Sequence, residues 1–412
     1  MELKERIARE LDDARHCSLA LLAPLSDDDL VRQHSPLMSP LVWDLAHVGN
    51  YEDQWLVRAL GAPGLGHRYD ETYDAFRHPR RTRASLALLG PKAARAYLGD
   101  VRGRALDRLD AAELAPDAAE PLLRGGFVYG MVVQHEHQHD ETMLATLQLM
   151  SRPGVLPPAP PPPAARPAAV EEVLVPGGPF TMGTDAEPWA YDNERPAHVV
   201  DVPAFWIDVT PVTNADFAAF LDDVPDAEPP QFWQRDGDRW ARLRFGAVER
   251  VPPDEPVQHV SWHQADAYAR WRGKRLPTEA EWEKAAAWDP ATGRSRRYPW
   301  GDDPPTPAHA NLGRRHHGPA PVGAYPEGAS AVGCLGMLGD VWEWTSSDFR
   351  AYPGFSAFPY REYSEVFFGT EYKVLRGGSW ATHPAAVRTT FRNWDYPIRR
   401  QIFAGFRCAR DA

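Results

Sequence analysis

Residues 135–142 read His-Glu-His-Gln-His-Asp-Glu-Thr. His135 and His139 are four apart, so on a helix their imidazoles stand on one face, about one turn from each other. Two neutral imidazoles at that spacing can grip one transition-metal ion. His137 falls on a different face and makes a poor third ligand. The run is not the His-Glu-x-x-His of zinc peptidases, because Glu136 is followed by His137, Gln138 and His139. Asp140 and Glu141 either orient an imidazole or form a solvated helix face, and the solvated face is the expectation for Asp140. The third ligand must come from elsewhere, and the candidate is His47, in the run Met38-Ser39-Pro40-Leu41-Val42-Trp43-Asp44-Leu45-Ala46-His47. Three histidines on one face of an ion leave up to three octahedral positions open, which suits Fe(II) that must receive substrate atoms and O2 together. A zinc hydrolase would need only one open position and a water.

The elements that must bring these residues together are helical. Residues 1–24 and 91–113 are Leu/Ala-rich with charges at helical period, and residues 120–151 carry the histidine run. Ser39-Pro40 reads as an N-cap followed by proline in the first helical position. Four such helices predict a bundle, whose core commonly hosts metal sites built from facing helices. Residues 153–168 (PGVLPPAPPPPAARPA) cannot be a helix interior or a central strand and are expected to run as polyproline II. The domain division follows from this: a bundle over 1–152, a linker over 153–169 and a second domain over 170–412. Beyond the linker, short apolar runs alternate with Gly, Pro and Asp turns. Ser261-x-x-Gln264 and Thr278-x-x-Glu281 read as capping boxes opening short helices. The second domain is therefore expected to be mixed α+β, rich in loops.

The whole chain narrows the function classes. Its 412 residues favour two or three domains, and a formal charge of −12 argues against nucleic-acid or anionic-membrane binding. Three cysteines, Cys17, Cys334 and Cys408, form no Cys-x-x-Cys pair and no disulfide framework, which fits a reduced cytoplasmic protein. The N-terminus opens an amphipathic helix, and no signal peptide or membrane span is expected.

In the second half, VPGGPFTMGTD (175–185), RPAHVVDVPAFWIDVTPVTNADFAAF (195–220), PVQHVSWHQADAYARWRGKRLPTEAEWEKAA (256–286), YPWGD (298–302), GMLGDVWEWTSS (336–347), VLRGGSW (374–380) and GFRCAR (405–410) occur in order. Together they closely resemble the formylglycine-generating-enzyme-like domain, a C-type-lectin-related fold, over nearly all of 170–412. Trp262, Trp271, Trp282, Trp300, Trp342 and Trp344 are expected to be core, and Arg275–Glu279 scaffold. The formylglycine generator holds copper with a cysteine pair after Gly-Gly-Ser-Trp. Here Ala381-Thr382-His383-Pro384-Ala385-Ala386-Val387 follows, without cysteine. The fold is implied and that chemistry is not. Residues 39–47 and 134–144 resemble the iron motifs of the DinB-like bundle in ergothioneine-biosynthetic sulfoxide synthases, and the order of domains agrees over essentially the full length.

That resemblance implies a DinB-like four-helix bundle followed by the lectin-type α+β domain. It also implies Fe(II) held by His47, His135 and His139. The implied reaction joins a thiol sulfur to C2 of the imidazole of hercynine (Nα-trimethylhistidine) with O2 as oxidant, giving a sulfoxide. Tyr360 and Tyr363 resemble the family's tyrosine pair, with Tyr360 as proton donor and Tyr363 on the substrate side. Asn393, Trp394 and Asp395 resemble a substrate-binding segment, in which an indole face can attract a quaternary ammonium. Gln138 is a further hercynine contact. Arg80 and Arg83 resemble the carboxylate-binding pair of members that use γ-glutamylcysteine; other members use free cysteine. Two other classes stay open on the residues alone: a DinB-type metal-dependent thiol transferase or hydrolase, and a binding module without chemistry.

Overall fold

The computed structural model describes residues 2–166 and 168–412; Met1 and Pro167, the latter inside the expected linker, lie outside the described residues. The chain divides into two compact units, 1–157 with 244–247, and 158–243 with 248–412.

The first unit is helical: α1 (Leu3–Leu22), α2 (Asp27–Val31), α3 (Leu41–Glu52), α4 (Pro91–Ala111) and α5 (Phe127–Met150). In α1 the apolar positions Ile7, Leu11 and Ala14 recur at helical spacing and are fully buried, with Ser18 continuing the same face. Nearly every residue of α3 is buried, as is most of α5, so these two helices form the centre of the bundle. Beyond Glu52 the α3 path loosens into a π-turn, Asp53–Arg58. Buried Asp53 accepts from the amides of Leu65 and Gly66, both at 2.9 Å. A side chain at Gly66 would meet the tips of Asn50, Tyr97 and Asp53 at 2.6–2.7 Å, so these three side chains close on the glycine.

Two sequence-based boundaries move. Helix α3 begins at Leu41 with Pro40 as its N-cap residue, whose carbonyl accepts from Trp43 and Asp44. Ser39 does not cap it; its hydroxyl takes a hydrogen bond from Arg83 instead. Helix α5 begins at Phe127, because Gly125 and Gly126 adopt φ of 60° and 74° and break the chain after a 3-10 turn, Pro121–Gly126.

A buried ionic cluster joins α1, α3, α4 and α5. Arg15 donates to Glu136 at 2.7 Å and Glu52 at 2.6 Å. Arg102 donates to the same two carboxylates at 3.4 and 2.6 Å. Two cations and two anions balance, which is the condition under which such a group is tolerated in an interior.

The second unit carries β1 (Glu172–Val175), β2 (Gly178–Met182), β3 (His198–Val202), β4 (Phe205–Asp208), β5 (Trp233–Asp236), β6 (Arg239–Arg244), β7 (Ala247–Arg250), β8 (Trp288–Asp289), β9 (Arg294–Ser295), β10 (Trp342–Asp348), β11 (Lys373–Arg376), β12 (Asn393–Asp395), β13 (Ala404–Gly405) and β14 (Ala409–Asp411). Helices α6 (Asn214–Asp223), α7 (Trp262–Trp271) and α8 (Glu279–Ala287) complete it. The sheets run β1-β4-β14, β12-β11-β10-β13, β2-β3, β5-β6-β7 and β8-β9. Ser261 and Thr278 cap α7 and α8 through reciprocal capping boxes, as the sequence predicts. Thr213 does the same for α6, with Asp216 as its partner.

Trp282, Trp342 and Trp344 are core residues; Trp262, Trp271 and Trp300 are only half-buried. The motif residues of this unit are mostly scaffold. Glu343 accepts from Trp282 Nε1 at 2.9 Å and from both ends of the Arg407 fork. Glu279 accepts from Arg376 and Arg392. Among its described residues the proline tract has neither helix nor strand. Its later part is tied to the second unit: His316 Nδ1 lies 2.9 Å from the Pro160 carbonyl, and Arg166 donates its amide to Gly323 at 3.1 Å.

Candidate functional site

Helix α3 presents His47 and helix α5 presents His135 and His139, and one ligand nitrogen from each lies within 4.8 Å of the others. The Nε2 atoms of His47 and His135 are 3.3 Å apart. Two imidazoles bound to one ion at about 2.1 Å take a spacing of this size. The outer nitrogens are engaged. His47 Nδ1 faces the Tyr73 carbonyl at 2.8 Å, and His139 Nδ1 faces Asp44 at 3.0 Å. A carbonyl can only accept, so His47 Nδ1 carries the proton and its Nε2 lone pair points inward. The carboxylate fixes His139 the same way. Burial, then the neighbouring imidazoles, hold His47 and His135 well below the ordinary histidine range, so both are neutral. Tyr51, one turn after His47, stacks on His135 with centroids 3.7 Å apart, and Trp43 stacks on His47 at 4.6 Å. The donor set is thus all-nitrogen, with His47 and His139 held from behind, and it fits a divalent transition metal with open positions.

Asp44, Tyr51 and the Tyr73 carbonyl join the site only through the fold. Asp44 had a signal: an acid three residues before His47 inside an apolar helical run. Asp140 is a correction. It is 1% exposed, not solvated; it accepts from Ser18 at 2.6 Å and pairs with His137 at 3.2 Å. His137 faces away from the histidine trio, as its position on the helix predicts. Gln138, between the ligand pair, is half-buried.

Arg80 and Arg83 lie on a 3-10 turn, Arg80–Ser85. They do not project as one solvent-facing fork. Arg83 is 5% exposed, stacks on Trp43 at 3.6 Å, and donates to the His78 and Ala75 carbonyls and to Ser39 Oγ. Those bonds use three of the five N–H groups of a guanidinium, leaving one on each terminal nitrogen. Burial lowers the Arg83 pKa to about 10, and its charge is felt at His47. Arg80 is half-buried and turns toward Leu37 and Met38.

In the second unit, Tyr360, Tyr363 and Trp394 come together. Tyr363 meets Tyr360 edge-on at 6.2 Å and Trp394 edge-on at 5.9 Å, and stacks on Tyr191 at 4.1 Å. The loop that carries the tyrosines is anchored at both ends on Asp192, which accepts from the Phe358 amide at 3.2 Å and from Ser364 Oγ. Burial pushes the Asp192 carboxyl up to about 6. Strand β12 is the edge of its sheet, with Val374 opposite Trp394. One face of Trp394 is taken by Phe349 at 4.1 Å, so only the other can receive a cation. Asn393 Oδ1 accepts from the Trp394 amide, and Asp395 accepts from the Tyr396 amide with Arg399 3.5 Å away. The Asp395 carboxylate thus already has a guanidinium beside it.

Comparison with known proteins adds an independent line. Residues 158–412 match the sulfatase-modifying factor enzyme 1-like domain family, and residues 10–143 match the DinB superfamily. A hercynine oxygenase of Mycolicibacterium thermoresistibile is 54% identical over 99% of this chain and 95% of its own length. One of Mycobacterium tuberculosis is 52% identical over 100% of both. The formylglycine-generating enzyme of Streptomyces coelicolor is 37% identical over 62% of this chain and 94% of its own.

Proposed function

Because the chain belongs to the hercynine oxygenase family, with its DinB bundle and sulfatase-modifying-factor-like domain, we propose that it is an Fe(II)- and O2-dependent sulfoxide synthase of the cytoplasm. It joins the sulfur of γ-glutamylcysteine to C2 of hercynine. The balance closes on O2 alone. The C2–H and S–H bonds break, a C–S bond forms, one oxygen atom goes to sulfur and the other leaves as water. The observation that carries this reading is the convergence of three imidazoles, with the outer nitrogen of His47 on the Tyr73 carbonyl and that of His139 on Asp44. A site without thiolate favours a redox iron over a structural zinc.

In this reading His47, His135 and His139 hold Fe(II), which supplies the redox chemistry that lets O2 serve as oxidant. Gln138, Asn393, Trp394 and Asp395 bind hercynine, the indole face turned from Phe349 taking the trimethylammonium. Arg83, already fixed on Trp43, offers its remaining N–H groups to a carboxylate of the thiol substrate, with Arg80 beside it in the same turn. Tyr363 lines the substrate side. Tyr360 delivers a proton where negative charge develops on oxygen.

The test is turnover of hercynine with γ-glutamylcysteine and with cysteine, with and without O2. Sulfoxide formed only with O2, and faster with γ-glutamylcysteine, is expected. Undiminished turnover under strict anaerobiosis would overturn the oxidative reading and favour a thiol transferase. Faster turnover with cysteine would overturn the substrate assignment alone.

A further inference from the structure

The bundle holds a second group of metal-ligating side chains, on the other side of α5 from the histidine trio. Cys17 of α1 and His137 and Asp140 of α5 each offer one ligand atom, all within 4.8 Å of one another. His137 and Asp140 are 2% and 1% exposed, while Cys17 is half-buried. The site is therefore walled by the helix pair and open along the thiol. Asp140 is set in place by Ser18, which donates to its Oδ1 at 2.6 Å, leaving Oδ2 toward His137 at 3.2 Å. Ser18 and Cys17 are neighbours, so the residue that orients the carboxylate also fixes where the thiol stands. None of these residues has a part in the reaction described above.

We propose that Cys17, His137 and Asp140 form a second metal site that takes a zinc-class divalent ion and ties α1 to α5. Thiolate, imidazole and carboxylate are the three ligand types of zinc sites, with water for a fourth position. Thiolate and carboxylate together cancel the charge of a dication, so the filled site places no net charge in the helix interface. The sulfur also separates the two centres chemically: it selects a softer ion than the all-imidazole trio does.

The test titrates Co2+ under anaerobic conditions into the protein after Fe(II) loading and into His47→Ala, whose first site is disabled. A near-ultraviolet thiolate-to-Co(II) charge-transfer band is expected in the wild type and in His47→Ala. It is expected to be lost in Cys17→Ser and weakened in His137→Gln, with hercynine turnover of Cys17→Ser unchanged. Zn2+ is expected to raise the thermal midpoint of the iron-loaded wild type and to leave that of Cys17→Ser where it was. No thiolate band in the wild type, persistence of the band in Cys17→Ser, or an equal Zn2+ shift in both proteins would overturn the proposal.

Discussion

Asp44 illustrates how one carboxylate sets the properties of an imidazole. Its Oδ1 stands 3.0 Å from His139 Nδ1, fixing the tautomer that leaves Nε2 available. Asp44→Ala is expected to weaken iron affinity about 10–100-fold, read by competition with a chelator. Tyr360→Phe deletes a proton donor and almost no volume. It is expected to keep substrate affinity and to change the ratio of sulfoxide to other oxidation products, whereas a wild-type product distribution would remove Tyr360 from the chemistry. Asp340 makes a pH prediction. Burial pushes its carboxyl up to about 7, against hydrogen bonds from the Ala320 amide and Asn311 Nδ2. A carboxyl raised on folding contributes stability that is fully present below its unfolded pKa near 3.8 and is lost as pH rises through about 7. Asp340→Asn keeps an acceptor oxygen and suits the local φ of 57°. It is expected to be more stable than wild type at pH 8, on the order of 2 kcal/mol, and no more stable at pH 4, in urea titrations at both pH values.

At the scale of elements, the Arg15, Arg102, Glu52 and Glu136 cluster clamps the helices that bear the histidines. Glu52 ends α3, and Glu136 follows His135 directly on α5. Arg15→Met leaves two buried carboxylates sharing one guanidinium and is expected to cost about 3–5 kcal/mol, measured by denaturant unfolding. The His135/His139 spacing is legible in the sequence because a helical turn is a local rule, and the two capping boxes are legible for the same reason. Which way Arg83 turns is not legible. The run His78-Pro79-Arg80-Arg81-Thr82-Arg83 reads as a basic surface, and only the tertiary position of Trp43 and Ser39 brings its last arginine inside. The start of α5 moves because paired glycines outweigh the helical periodicity that precedes Phe127. Asp140 is misread because the solvated-face expectation takes no account of α1, whose Ser18 meets it.

At the scale of the whole molecule, the order of a helical unit, a proline tract and a mixed α+β unit is written in composition, and the loss of cysteines after Ser379-Trp380 separates this chemistry from that of the formylglycine generator. The Tyr73 carbonyl behind His47 has no sequence signature, since every residue carries one. The central proposal is that His47, His135 and His139 hold the iron on which turnover depends. The direct measurement is iron content after anaerobic Fe(II) loading, taken together with O2-coupled turnover of hercynine, in wild type and in His47→Ala. The account predicts a single tightly held iron and sulfoxide formation in the wild type, and loss of both in the variant with its fold retained by circular dichroism. Full turnover with undiminished iron in His47→Ala would contradict it.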